Sequence, residues 1–174
     1  MRKNVLLLLS CVVLVVGLVA AGPASVATSN RPKILKFQTM VGVPRPYTDA
    51  MNAIRGVPGG GLPWVVDSAN GKLRTDGHVV IQVEGLVLDP NDQGVIDAGL
   101  AGTNPVQNFK AIVSCLSKDA GGMAITSNVE TGLFPASAAG DSEIEDNVNL
   151  PDPCIAPIVF VTSPTGQWFA STGF

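Results

Sequence analysis

The chain has 174 residues, room for one domain with or without a targeting segment. Hydrophobic residues make up 46% and charged residues 14%, enough to build a core and too few charges for a disordered, solvating chain. With 11 basic and 14 acidic side chains the formal charge is -3, so nothing is left over to neutralise phosphates, and nucleic acid is not expected as a partner.

Arg2 and Lys3 precede an almost unbroken apolar run from Val5 to Ala21. Gly22-Pro23 ends it, and Ser25-Val26-Ala27 places small residues at the positions a signal peptidase reads. The expectation is a signal peptide over 1–27, cleaved after Ala27, and a secreted or periplasmic protein. Contact with a membrane is expected only through this segment if it is retained, at about the lower length limit for a span. The 174 residues less these 27 leave 147, read as one all-β domain over 28–174. Losing Arg2 and Lys3 leaves 9 basic against 14 acidic side chains, a formal charge of -5. Two cysteines remain, Cys115 and Cys154, and in an oxidising compartment a lone pair is expected as a disulfide.

Ile34 to Val41 reads as the first strand. The stretch 42–63 is rich in glycine and proline and reads as irregular, with Gly59-Gly60-Gly61 as a flexible loop or a close backbone crossing. Within it, Thr48 to Arg55 is expected to make one or two helical turns with Thr48 as N-cap and Gly56 beyond the end. Trp64 to Asp67 is a further strand, and Asn70-Gly71 predicts a tight hairpin turn leading into Lys72 to Thr75. Val79, Ile81 and Val83 alternate with Val80, Gln82 and Glu84, the period of a half-buried strand. Gly85 is expected to form a bulge before Leu86 to Leu88.

Phe109, Ala111, Val113 and Cys115 share one parity, opposite Lys110 and Ser114, which places Cys115 on the core face. Ile144, Val148 and Leu150 alternate with Glu143, Glu145, Asn147 and Asn149, while Asp146 breaks the pattern. Ile158 to Thr162 reads as a buried strand opened by Pro157, and Gln167 to Phe174 as the last strand. About eight short strands joined by Gly- and Pro-rich loops, with at most one short helix, predict an antiparallel β-sandwich, Ig-like or a related Greek key. A partly open barrel is the alternative.

The chemistry is sparse. His78 is the only histidine, which excludes multi-histidine metal sites and leaves one imidazole before a strand. Gly140-Asp141-Ser142 resembles the start of the GDS-type serine hydrolase signature, but no histidine follows Ser142. The expectation is therefore a non-enzymatic binding, surface or structural module with an extracellular glycan or protein as ligand. No catalytic residue and no cofactor is assigned. The enzyme alternative is a carboxylate-dependent glycan hydrolase using, for example, Glu143 or Glu145 with Asp146 or with another acid brought near by the fold. A further alternative is a calcium-stabilised module. Asp89, Asn91, Gln93 and Asp97 around Gly94 resemble an EF-hand calcium loop, with Leu100 where the glutamate belongs. Trp64 and Trp168, in a chain with 2 Trp, 1 Tyr and 6 Phe, are read first as core anchors, with ligand-facing aromatics as the alternative.

Overall fold

The computed structural model describes residues 31–172. The expected export signal over 1–27 and the final two residues lie outside the described residues. The described chain is an all-β, antiparallel sandwich with one short helix, and none of its sheets closes into a barrel. No helix among the described residues is long and apolar enough to cross a membrane.

One sheet has four strands in the order β1 (Lys33–Phe37), β4 (Ser68–Arg74), β5 (His78–Glu84) and β10 (Ser142–Asn147). The larger sheet runs β2 (Val41–Gly42), β12 (Trp168–Ser171), β11 (Ile155–Thr162), β7 (Asn108–Lys118) and β8 (Ala124–Glu130), with β9 (Phe134–Pro135) also paired to β7. A small ribbon joins β3 (Trp64–Val65) to β6 (Val87–Leu88). The twelve strands exceed the expected eight because several apolar runs divide between sheets. The predicted strand over Ile34 to Val41, for example, splits into β1 and β2 on different sheets.

The core follows from strand alternation. Val79, Ile81 and Val83 of β5, Ala69 and Leu73 of β4 and Ile144 of β10 are buried on one side of the four-stranded sheet. They form one cluster with Phe109, Ala111, Val113 and Cys115 of β7 and Val159 and Val161 of β11. Trp64 stacks on Phe169 with ring centroids 3.9 Å apart, and Phe109 meets both rings edge-on. The expected disulfide is present, joining Cys115 on the core face of β7 to Cys154 just before β11, with Cα atoms 5.0 Å apart.

Three local expectations are corrected. Asn70-Gly71 is not a turn but the middle of β4, and the hairpin to β5 turns at Thr75-Asp76-Gly77 instead. There Gly77 has φ 84° and donates to the Arg74 carbonyl, while Asp76 accepts the His78 N–H. Gly71 is glycine for a packing reason, since a Cβ there would lie 2.5 Å from the Phe37 ring and from the Val80 carbonyl oxygen. Gly85 makes no bulge within a strand but marks where the chain leaves β5 to pair β6 with β3. Pro157 does not open β11; it sits inside the strand, in a register shift between Ile155 and Ile158.

The expected helix over Thr48 to Arg55 is also absent. The helix that forms is α1 (Gln93–Asp97), N-capped by Asp92, whose carboxylate accepts the Val95 N–H. Residues 43–60 instead leave the β12 edge of the larger sheet and return to it as a strap, with Arg55 reaching over β7, β8 and β11. Trp168 N–H donates to the Pro58 carbonyl, Gly60 N–H to the Trp168 carbonyl, and the Asn128 amide to the Arg55 carbonyl. Arg55 in turn donates to the carbonyls of Ser114 and Ala156, at 3.0 and 2.8 Å. This satisfies backbone oxygens at the bulge where Pro157 has no N–H to offer. The strap explains why Ile112, Ser114 and Phe160, on the outward parity of their strands, are buried as well.

Candidate functional site

The outer face of the larger sheet is covered over Ile112, Ser114 and Phe160 and exposed at Leu116, Thr126 and Ile155. The outer face of the four-stranded sheet is open and carries the densest set of charged and amide side chains. Its cross-strand rows follow from register. Lys36 of β1 lies opposite Lys72 of β4, which lies opposite Val80 of β5, which lies opposite Glu145 of β10. The next row places Asn70 opposite Gln82 and Gln82 opposite Glu143. Near the other end of β1, Lys33 faces Arg74.

Lys33, Lys36, Asn70, Lys72, Val80 and Gln82 of these rows, with Gln38 and Phe37 beside them, line a shallow groove of about 490 Å³. Lys33, Lys36 and Lys72 supply positive charge, Gln38, Asn70 and Gln82 supply amide donors and acceptors, and Val80 is part of the floor. None of the three lysines is in an ion pair among the described residues. The groove contains no carboxylate; the acids lie one strand further on, on β10. The face is therefore polarised, cationic over β1 and β4, amide-lined toward β5 and acidic at β10. No reading of local sequence finds this site, because its residues come from three separated segments and meet only through strand register.

Glu143 and Glu145 share the exposed face of β10, and Glu145 lies 3.3 Å from Nε2 of His78. Asp146 points to the opposite side, where it accepts the backbone N–H groups of Gly132 and Asn147. Those hydrogen bonds, Gly132's first, hold its carboxyl below the ordinary aspartate range. The proposed acid pair is thus divided between two faces of one strand.

Asp89 accepts the Asn91 N–H and Gln93 donates to Asp97, so these oxygens are engaged in local turn and helix contacts. Gln93 and Asp97 are the two ends of α1. Asp92, at the same turn, takes a two-point contact from Arg45 at 2.8 and 3.0 Å, and that bond chiefly lowers its pKa. Among the described residues no group of three or more His, Cys, Asp or Glu side chains is arranged to hold a metal ion.

Trp64 and Trp168 are not ligand-facing. They are 4% and 1% exposed, Trp64 in the inter-sheet aromatic cluster and Trp168 beside Phe160 next to the strap. Both rings are anchors of packing, the first of the two readings, and the ligand-facing alternative is corrected. No protein-family model, curated protein or solved structure matches this chain.

Proposed function

We propose that the protein is an exported, disulfide-stapled binding module whose ligand rests on the outer face of the four-stranded sheet. The observation that carries this reading is the pair Lys36 and Lys72, directly opposite each other on neighbouring strands with no ion-pair partner among the described residues. Like charges in that position destabilise a sheet, and a bound ligand that interacts with them offsets the cost. Lysines on an edge strand also discourage sheet-to-sheet aggregation, which accounts for Lys33 and Lys36 on β1. That explanation does not extend to Lys72 on the second strand, or to the amides beside it.

Export is supported by the Arg2-Lys3 and Val5 to Ala21 pattern and agrees with the disulfide. A non-catalytic role is supported by the division of Glu143 and Glu145 from Asp146 and by the open, shallow shape of the groove. The test is an array of immobilised glycans and extracellular proteins, probed with the wild-type chain and with the double variant Asn70→Ala, Gln82→Ala. The expected result is a ligand retained by the wild type and lost by the variant at unchanged melting temperature. Turnover of a glycan substrate, abolished by a single Asp or Glu substitution, would overturn the reading.

A further inference from the structure

From the chemistry of this same face, and resting on the reading of it as the ligand surface, we infer that the ligand is an acidic glycan. Its carboxylates sit over Lys36 and Lys72, and its hydroxyls meet Asn70, Gln82 and Gln38. Lys36 and Lys72 are a direct cross-strand pair, so their Cβ atoms are about 5 Å apart, and Lys33 lies on the same edge strand. Three cations converge on one groove without a counter-ion, on a chain whose exported part carries 9 basic and 14 acidic side chains. A local excess of positive charge on an acidic protein selects an anion at that place and repels polyanions elsewhere on its surface.

The type of anion follows from the other side chains. Arginine, whose planar fork suits phosphate, does not line the groove; lysines do, and they act as point charges that tolerate varied carboxylate geometry. The amides present both donors and acceptors, the combination a hydroxyl group matches. A lipid surface would need exposed apolar side chains, and Val80, the groove's one aliphatic residue, is half-buried on its floor. Duplex nucleic acid carries one charge per roughly 1.7 Å, a density that three lysines beside an acidic strand do not match. The acids Glu143 and Glu145 on β10 then exclude the carboxylates from that side, so the sugar chain is held in one orientation across the strands.

The test is isothermal titration of the full exported chain with an oligouronate, and with a neutral oligoglucose of equal length. The variants are Lys36→Gln, Lys72→Gln, the double variant Asn70→Ala, Gln82→Ala, and Lys118→Gln as a basic control outside the groove. The expected result is oligouronate binding weakened about tenfold by each groove lysine substitution and by rising salt, untouched by Lys118→Gln, with no binding of the neutral chain. Equal binding of the neutral chain, lost in the amide double variant, would overturn the acidic class and leave the binding face standing. Oligouronate binding unchanged by every groove substitution would overturn the class and the face together. Tighter, lysine-dependent binding of anionic phospholipid vesicles or duplex DNA would overturn the glycan assignment.

Discussion

Opening the Cys115–Cys154 bridge is expected to cost the fold about 4 kcal/mol. The bond closes a loop of 39 residues that includes β8, β9 and β10, so it restrains the unfolded chain over about a quarter of the domain. The chain-entropy relation for a loop of that length gives about 13 cal/mol/K, or about 4 kcal/mol at 25 °C. For a domain of about 150 residues each kcal/mol moves Tm by roughly 2–4 °C, so the midpoint falls by about 8–16 °C on reduction. Cys115 is fully buried on the core face of β7, where a thiol packs as a small apolar group, so reduction leaves the folded state little changed. The assay is urea unfolding with and without a phosphine reductant, with thiols counted by alkylation and intact mass. The double variant Cys115→Ala, Cys154→Ala should match the reduced wild type within about 1 kcal/mol. A loss below about 1 kcal/mol with both thiols alkylated would refute the reasoning, because the unfolded chain would then gain no freedom from an open loop.

Replacing Gly71 by valine forces a side chain against Phe37 and the Val80 carbonyl, and should destabilise the domain by about 1–3 kcal/mol in the same urea assay. Arg55→Met keeps much of the apolar stem but leaves the Ser114 and Ala156 carbonyls without their donor. A loss of about 1–3 kcal/mol is expected, with faster hydrogen exchange in the strap than in β5. Lys72→Gln relieves the like-charge pair with Lys36 and should raise stability by about 0.2–1 kcal/mol at low salt, a gain that shrinks as salt is added. Asp146 has its carboxyl pKa depressed in the folded state by the Gly132 and Asn147 N–H groups. Its contribution is therefore present at neutral pH and lost as pH falls through the ordinary aspartate value and the depressed one below it. Asp146→Asn should flatten that acid limb in a Tm-against-pH series, and an unchanged limb would show that other carboxylates set it.

The parts of the fold that were legible in the sequence are those whose signal is local. Val79, Ile81 and Val83 alternate strictly because one face of β5 meets the core and the other meets solvent. Cys115 took its side from the same parity, and the two remaining cysteines had only each other as partner. What failed to read depends on distant neighbours. Asn70-Gly71 has the composition of a turn, yet Phe37 lies over Gly71 and makes glycine a packing requirement within a strand. Thr48 to Arg55 carries a plausible cap, but Arg55 is drawn to the carbonyls of Ser114 and Ala156 and the segment spends its backbone on the strap. The Trp64 and Trp168 rings are equally silent about direction, since a tryptophan that anchors a core and one that faces a sugar have the same local sequence. The groove is the extreme case: Lys36, Asn70, Lys72 and Gln82 are unremarkable one by one, and only antiparallel register sets them side by side.

A sandwich ordinarily has two outer faces to divide between solvent and partners, and here the strap over 43–60 takes part of one of them. A fusion, label or surface tether therefore has few harmless places to go. The turn between β7 and β8, at Asp119 to Met123, is exposed and joins two strands of the larger sheet, whereas the groove is built on the four-stranded one. A probe attached there would leave the groove facing outward.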